Sequence, residues 1–369
     1  MKKIGIITFH RALNYGAVLQ TYALRTSLEK YFDGDVEVID YRCDSIESGR
    51  NLKKRLMKKN FIKSFLSTTL MLYKRKNFDR FLKNNIAISE KKFDRKSIGV
   101  SQCEYCGFVT GSDQVWNHKI TNDDTTFLLD FVEDNNKRNS YAASMGLSEV
   151  DEKNRKKYFD ELRQFEELSV REKDLQVYLK KNIPDKIVRT NLDPTLLLLG
   201  EQWKKLSSGK PLKEKYILVY NVPKPDYLFD IAKKVGKETG LKVKYIANGI
   251  RPSGVSINDI VYPSVEDFIN LFLNAEYIIT NSFHGTVFSI LFEKKMLVEL
   301  KSGSGANGRI QTLMDICGLE SRVSTNGEYE ELFKSIDWIT VNHNLEKARD
   351  DSLNQIKYIA NRYNENPNQ

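Results

Sequence analysis

The chain has 369 residues, which at roughly 100–200 residues per domain predicts two domains. Hydrophobic residues make up 40 % and charged residues 29 %, a composition that excludes a disordered chain. No apolar run approaches the about 18 residues that a membrane-spanning helix needs, and the start MKKIGIITFH lacks the pattern of a signal peptide. We therefore expect a cytoplasmic protein with a net charge of +9.

The first part of the chain alternates strand and helix patterns. An apolar run predicts a buried parallel strand over 3–9, a helical stripe predicts a helix over 17–31, and a second apolar run predicts a strand over 36–40. Further strands are predicted over 106–110, 140–144, 168–170 and 187–188, with helices over 152–167 and 173–181. The pattern predicts an N-terminal Rossmann-like domain over residues 1–205.

A basic segment interrupts this alternation. Between Arg50 and Lys83 there are twelve Lys or Arg residues and one acid, Asp79. Apolar residues at four-residue spacing, such as Leu52 and Leu56, predict a helical insertion over about 50–85. The insertion either packs its apolar stripe on its own domain or lies on an anionic membrane surface. Nucleic acid is not an expected partner, because no zinc-finger, helix-turn-helix or RNA-recognition pattern accompanies the charge.

A second alternation starts after a polar stretch at 199–213. It predicts a C-terminal Rossmann-like domain over 212–340 and a last helix within 341–369 that returns to the first domain. Two such series predict an α/β fold in which two Rossmann-like domains face each other across a cleft. Neither half contains G-x-G-x-x-G or G-x-x-x-x-G-K-[ST], which disfavours dinucleotide oxidoreductases and P-loop enzymes.

Ligands of open α/β sheets lie at the carboxyl ends of the strands, so the turns that follow strands are candidate sites. The turn before the first helix reads Asn14-Tyr15-Gly16-Ala17. Gly16 lets a ligand approach the backbone, and the helix start offers N–H groups to an anion. Alternatively, Asn14 only caps the helix.

A second polar turn follows the strand at 106–110. Gly111 and Ser112 shape a tight turn, Asp113 offers a carboxylate base, and Trp116 offers a flat surface for a sugar ring. A cluster of small polar residues, a carboxylate and an aromatic residue predicts a binding site at this turn.

A third turn carries Arg171 and Glu172 directly after the strand at 168–170. Arg171 is suited to binding a carboxylate or phosphate through two hydrogen bonds. Alternatively, Glu172 marks an ordinary ion pair.

The fourth turn carries the strongest pattern. A buried strand over 277–280 leads into Asn281-Ser282-Phe283-His284-Gly285 and then a helix. Either Asn281 or Ser282 can cap that helix, and its free N–H groups favour phosphate binding together with Gly285. His284 has the side chain most suited to proton transfer near neutrality, and a core or capping role is its alternative. Arg309, at the start of a later helix, is a further candidate for binding an anion.

These turns, in this order, resemble the polysaccharide pyruvyl transferase family. The segments that carry the resemblance are residues 4–9 with 14–17, 111–117, 140–146, 169–172, 193–195 and 280–285. The resemblance implies a glycosyltransferase-B-like arrangement of the two domains. It also implies transfer of pyruvate from phosphoenolpyruvate to a sugar, with formation of a cyclic ketal and release of phosphate.

The resemblance assigns roles to individual positions. Arg171 resembles the donor-binding Arg of the family and His284 its essential His. Some members have an Arg two residues before that His, where this chain has Ser282, so Arg309 is the substitute candidate. Asp113 is our candidate for the acceptor base. The reaction requires no cofactor and no metal, and Cys103-x-x-Cys106 lacks the further ligands of a zinc site.

The expected partners are phosphoenolpyruvate and a glycan acceptor. The basic segment favours a lipid-linked acceptor and peripheral association with the inner face of a membrane, in the biosynthesis of a capsule or exopolysaccharide. Two rival functions stay open, a nucleotide-sugar glycosyltransferase of the same two-domain shape and a non-catalytic glycan-binding protein.

Overall fold

A computed structural model describes residues 2–48, 61–212, 214–222, 227–247, 255–300 and 307–364. The chain forms two compact units. The first contains residues 1–51, 79–198 and 347–369, and the second contains residues 52–78 and 199–346. The change from one unit to the other near residue 198 lies close to the polar stretch that marked the domain boundary in the sequence.

The first unit is built on a five-stranded parallel sheet with the order β3-β2-β1-β4-β5. Its strands are β1 (Lys3–Ile7), β2 (Asp35–Tyr41), β3 (Ile88–Phe93), β4 (Gly107–Thr110) and β5 (Arg138–Ser140). Ile4, Ile6 and Ile7 of the central strand are fully buried, as expected for a parallel strand with both faces covered. Because every strand runs the same way, the carboxyl ends meet at one edge of the sheet.

The helices that flank this sheet differ widely in length. They are α1 (Tyr15–Glu29), α2 (Asp44–Ser48), α3 (Phe61–Asn85), α4 (His118–Thr121), α5 (Glu152–Leu162) and α6 (Lys173–Asn182). Helix α3 crosses the division between the units, since residues up to Phe78 group with the second unit. The core of the first unit includes Phe108, Trp116 and Phe165, each of which is fully buried.

A short parallel pair, β6 (Glu167–Val170) and β7 (Ile187–Thr190), extends the first sheet. Ala143 forms bridges with Asp113 on one side and with Val170 on the other. Its N–H donates to the carbonyl of Ser169 at 3.0 Å, and its carbonyl accepts from the N–H of Arg171 at 3.1 Å. The turns after β4, β5 and β6 therefore lie side by side.

The second unit has its own parallel sheet, with the order β10-β9-β8-β11-β12-β13. The strands are β8 (Tyr216–Tyr220), β9 (Lys242–Ile246), β10 (Ile260–Val261), β11 (Tyr277–Thr280), β12 (Lys295–Glu299) and β13 (Val323–Ser324). The helices are α7 (Gly200–Leu206), α8 (Leu228–Thr239), α9 (Val265–Asn274), α10 (Phe283–Leu291) and α11 (Asn307–Cys317). Helices α8 and α9 bury Ile231 and Phe268, so this unit has a core of its own.

The last helix, α12 (Trp338–Asn364), contributes residues 347–364 to the first unit. Ser352 Oγ accepts a hydrogen bond from the N–H of Leu192 at 2.9 Å, and Asn139 Nδ2 donates to the hydroxyl of Tyr363 at 2.7 Å. A Cβ on Gly107 would lie 2.3 Å from the Tyr363 ring, so only glycine allows this close approach at the start of β4. The end of the chain is thus an integral part of the first core.

The predicted α/β class with two Rossmann-like parallel sheets is confirmed. Several elements differ from the prediction, among them β3 and β5. Strand β3 was not predicted, because Glu90, Lys91 and Lys92 give it the composition of a polar loop. Strand β5 ends at Ser140 rather than at residue 144, because Ala142 adopts a positive φ of 47° that ends the extended conformation.

The basic segment is described from residue 61, with side chains from residue 68, so its predicted contacts before that point lie outside the described residues. Met71, Phe78, Phe81 and Leu82 of α3 are buried, so one face of the described part of this helix packs against the protein. Leu72 and Tyr73 are 44 % and 51 % exposed. In the part of the chain that the structure describes, no helix combines the length and hydropathy needed to cross a bilayer.

Candidate active site

The turn between β11 and α10 is the candidate site of the second unit. Ser282 has extended backbone angles, and its Oγ accepts a hydrogen bond from the N–H of Gly285 at 3.4 Å. The N–H of Ser282 in turn donates to Thr280 Oγ1 at 3.0 Å. Ser282 is therefore the N-cap, which explains why α10 begins at Phe283 and not at the predicted residue 286.

Gly285 and Asn281 hold this turn in place. A Cβ on Gly285 would lie 2.3 Å from Thr280 Oγ1, so a glycine is required for the helix to start this close to the strand. Asn281 Oδ1 accepts from the N–H of Val222 at 2.7 Å, which ties the turn to the segment after β8. Both residues shape the turn, and contact of either with a substrate stays a prediction.

His284 lies in the first turn of α10 and is 7 % exposed. Its ring packs edge-on against Phe283, with ring centroids 5.2 Å apart. Because Ser282 supplies the cap, the capping alternative for His284 is wrong. Its burial fits the core alternative, and proton transfer by His284 stays a prediction. The guanidinium carbon of Arg309 lies 6.0 Å from the centroid of the Phe283 ring, within cation–π range. The imidazole of His284 and the guanidinium of Arg309 therefore both lie next to the ring of Phe283.

The turn after β4 is the candidate site of the first unit. A Cβ on Gly111 would lie 2.9 Å from Leu24 Cδ2, and the carbonyl of Ser112 accepts from Thr8 Oγ1 at 2.9 Å. Asp113 follows with a φ of +76°, an unfavourable conformation for a residue other than glycine. Its Oδ1 accepts from the N–H of Gln114 at 2.8 Å, and the residue is half-buried. A strained carboxylate at the end of a strand is typical of functional sites.

A buried polar network lies beneath Asp113. Ser112 Oγ donates to Asp193 Oδ2 at 2.8 Å, and Arg171 Nη1 donates to the same oxygen at 2.7 Å. Arg171 Nη1 also lies 3.3 Å from Ser112 Oγ, and its Nε lies 3.8 Å from Glu172 Oε1. Glu172 Oε1 further accepts a short hydrogen bond from Ser144 Oγ.

The charge of Arg171 is compensated inside the protein. Burial alone would lower the pKa of the guanidinium, but the attraction of Asp193, Glu172 and Asp113 outweighs it and raises the pKa. The side chain is 2 % exposed. The ion-pair alternative is therefore confirmed, with Asp193 as the nearer partner, and direct donor binding by Arg171 stays a prediction.

Two predicted contacts are wrong. Trp116 is fully buried, its Nε1 donates to the carbonyl of Phe127 at 3.1 Å, and its ring packs against Phe165, so it offers no surface to a sugar. Ser112 is also fully buried and donates to Asp193, so its side chain shapes the turn and does not face a ligand.

At the turn before α1, Asn14 caps the helix. Asn14 Oδ1 accepts hydrogen bonds from the N–H groups of Gly16 at 2.9 Å and Ala17 at 3.4 Å. The capping alternative is therefore confirmed, and contact of Asn14 or Gly16 with a substrate anion stays a prediction.

The sequence reasoning missed two groups at the edge of the first sheet. Asp193 was noted only as part of a motif, although an Asp followed by Pro is a typical helix start, and its Oδ1 accepts from the N–H of Thr195 at 3.0 Å. His10 is 1 % exposed and lies with Nε2 3.3 Å from Asp40 Oδ1. Burial would raise the pKa of Asp40, but hydrogen bonds from His10 and Arg42 lower it to about 2.

Fold and turns together define an α/β protein with two Rossmann-like sheets and polar turns at their carboxyl edges. The model of the family described as polysaccharide pyruvyl transferase matches residues 14–298. This match covers well over half of the chain, and the protein belongs to the polysaccharide pyruvyl transferase family, a family of transferases. No curated protein is similar enough in sequence to match.

Solved structures of similar fold include UDP-sugar enzymes. A UDP co-structure of MnaA from S. aureus shares 15 % identity at a TM-score of 0.51, with 100 % of both chains covered. A UDP-N-acetylglucosamine 2-epimerase from Rickettsia bellii shares 10 % identity at a TM-score of 0.52, covering 98 % of this chain and 96 % of that one. The corresponding enzyme from Methanocaldococcus jannaschii shares 13 % identity at 0.50, covering 95 % and 94 %. At these identities the similarity establishes the fold.

Proposed function

We propose that the protein transfers pyruvate from phosphoenolpyruvate to two hydroxyls of one sugar in a polysaccharide or its lipid-linked precursor. The methylene carbon of the donor accepts a proton and becomes the methyl group, which leaves an oxocarbenium-like centre at the neighbouring carbon. One sugar hydroxyl attacks this carbon and loses its proton, and the bond to phosphate breaks. The second hydroxyl then closes the ketal and loses its proton. Of the two hydroxyl protons, one replaces the proton given to the donor and the other leaves with the phosphate. The products are the cyclic ketal and inorganic phosphate, and no oxidant or reductant is consumed.

The start of α10 supports this proposal most directly. Its first turn carries His284, and Arg309 reaches the neighbouring Phe283 ring. Main-chain N–H groups and the positive end of a helix favour phosphate, and an imidazole is suited to donate a proton near neutrality. We therefore assign phosphate binding to this turn with Arg309, and protonation of the donor to His284.

The carboxylate of Asp113 is assigned to the other half of the reaction. It lies at the strand edge and is half-buried, whereas the carboxylates of Asp193 and Glu172 are buried. A half-exposed carboxylate is suited to accept a proton from an attacking hydroxyl. Arg171 and Ser112 position the turn that carries it through Asp193.

The test is mass spectrometry of candidate saccharides, free and lipid-linked, incubated with the protein and phosphoenolpyruvate. We expect one added pyruvyl group per acceptor and one released phosphate per ketal. Saccharide binding without phosphate release would instead support a glycan-binding protein. Thermal stabilisation by nucleotide sugars, without any effect of phosphoenolpyruvate, would support a glycosyltransferase.

The described end of the basic segment supports a membrane-associated acceptor. Leu72, Lys76 and Arg80 recur at four-residue spacing on α3 and are exposed, so they lie along one face of the helix. Apolar and basic side chains together are typical of helices that lie on anionic lipid.

Co-sedimentation with vesicles containing anionic lipid tests this part of the proposal. Neutralising Lys53, Lys54, Arg55, Lys58 and Lys59 should abolish binding, since each basic residue contributes about 1 kcal/mol. A control with Gln at the exposed Lys180, Lys181, Lys204, Lys205 and Lys233 should keep it. Equal loss in both variants, or no binding of the unmodified protein, would reject the membrane surface as a partner.

A further inference from the structure

A cavity of about 490 Å³ opens in the first unit beside the turns described above. Side chains that follow β2 and β3 line it, together with the loop after α4 and one residue of α5. This volume falls within the about 300–1,000 Å³ typical of ligand-binding clefts. None of its lining residues has been assigned to pyruvyl transfer, so the cavity needs a role of its own.

The cavity lies at the same sheet edge as Asp113. In the order β3-β2-β1-β4-β5, the end of β2 is two strands away from the end of β4. Neighbouring strands lie about 4.8 Å apart, so the two strand ends are separated by roughly 10 Å. A short oligosaccharide can bridge this distance.

The charges of the lining exclude several ligand classes. Four basic side chains are matched by four acidic ones, so a polyanion such as a nucleic acid would meet as much repulsion as attraction. The described lining residues include no Leu, Ile, Val, Met, Phe or Trp, and the one aromatic residue among them, Tyr41, is buried and donates its hydroxyl to Asp124 at 2.5 Å, which disfavours a hydrophobic ligand. Among the described residues, no group of three His, Cys, Asp or Glu is placed to hold a metal ion.

Several lining groups are held in fixed positions. Arg95 binds Asp130 through two hydrogen bonds of 2.5 and 2.7 Å, and Arg42 Nη2 lies 2.5 Å from Asp40 Oδ2. Asp124 Oδ1 also accepts from the N–H of Thr126 at 3.0 Å. The cavity therefore presents fixed hydrogen-bond donors and fixed acceptors close together. A sugar hydroxyl both donates and accepts, so a neutral sugar matches this mixture.

We propose that this cavity binds a neutral sugar residue of the acceptor glycan, beyond the sugar that receives pyruvate. That this sugar belongs to the acceptor rests on the proposed function. Binding of a sugar in the cavity does not depend on it. Lys157 of α5 and Asp44 of α2 supply an exposed cation and an exposed carboxylate to the lining, and they select the sugar through its hydroxyls.

The experiment measures binding of neutral glucose, galactose, mannose and N-acetylglucosamine oligosaccharides, from one to four residues, by protein-detected NMR without phosphoenolpyruvate. The test variant combines Lys157→Ala with Asp44→Asn. The control combines Lys156→Ala with Glu152→Gln, two exposed residues of α5 that do not line the cavity. Thermal unfolding checks that both variants are folded.

We expect at least one oligosaccharide to shift the signals of Thr121, Asn122 and Thr125, with a Kd raised about tenfold in the test variant and unchanged in the control. Once an acceptor is known, the test variant should raise KM for long acceptors and leave KM for the single sugar unchanged. No shift at the cavity with any of these sugars, or an equal loss in both variants, overturns the inference. Pyruvyl transfer without binding at the cavity refutes only this inference, and binding without transfer refutes only the proposed function.

Discussion

The turns after β4 and after β11 occupy equivalent places in the two units, yet they carry opposite chemistry. The first combines one guanidinium, Arg171, with the carboxylates of Asp113, Glu172 and Asp193. The second combines the start of a helix with an imidazole and, beside it, a guanidinium. One turn is suited to accept protons, and the other is suited to bind an anion and donate a proton. Equivalent positions in a repeated fold therefore do not imply equivalent functions.

The largest expected effect tests whether Arg171 is structural. Arg171→Ala leaves Asp193 and Glu172 buried without their cation, so the free energy of unfolding should fall by about 3–5 kcal/mol, measured by urea denaturation. The control, Arg189→Ala, breaks an exposed pair with Glu167 and should cost at most about 1 kcal/mol.

A folded Arg171→Lys variant then separates structure from donor binding. If Arg171 also binds the donor, KM for phosphoenolpyruvate should rise more than KM for the glycan. The reverse pattern would assign Arg171 to the acceptor side. A stability loss in Arg171→Ala equal to that in Arg189→Ala would contradict the buried network.

The second turn is tested by His284→Asn. Loss of a general acid should lower kcat for ketal formation by about 100-fold, measured as released phosphate. His343→Asn on the exposed face of α12 is the matched control and should leave turnover unchanged. Unchanged turnover in folded His284→Asn would reject the role of proton donor.

The first unit should also be the more sensitive of the two to acid. The pKa of Asp40 is about 2 in the folded protein, below its ordinary value of 3.8, so the unfolded chain takes up the proton first. The corresponding stability, about 2 kcal/mol, is present above pH 4 and is lost as the pH falls towards 2.

Denaturation from pH 5 to 2 measures this effect. Asp40→Asn should remove that part of the pH dependence, and Asp35→Asn, at the exposed start of the same strand, should keep it. Identical pH profiles for the two variants would contradict the assignment to Asp40.

The smallest expected effect on stability concerns the strained carboxylate. Asn tolerates the positive φ of residue 113 and keeps the acceptor for the N–H of Gln114, so Asp113→Asn should retain stability. Asp113→Ala should be less stable than Asp113→Asn by about 1–2 kcal/mol, measured by denaturation. Both should lose ketal formation, and turnover in folded Asp113→Asn would exclude Asp113 as the base.

The sequence predicted the strand–turn–helix at 277–291 because its signals are local. An apolar strand, a serine cap and a glycine follow one another within nine residues. The pairing of Arg171 with Asp193 joins residues 22 apart, and the bond to Ser112 spans 59, so no local pattern could reveal either. Trp116 was misjudged for the same reason, since only the fold decides whether an indole beside a polar turn points into the core.

Helix α12 completes the core of the first unit, and this affects the order in which the two units can fold during synthesis. Residues 347–364 leave the ribosome after the whole second unit, although Leu192, Asn139 and Gly107 need them as packing partners. The N-terminal part must therefore wait, incompletely packed, until α12 has been synthesised, whereas the second unit can complete its core first. Expression of the N-terminal half alone should yield an aggregation-prone fragment that a separately supplied C-terminal helix can rescue.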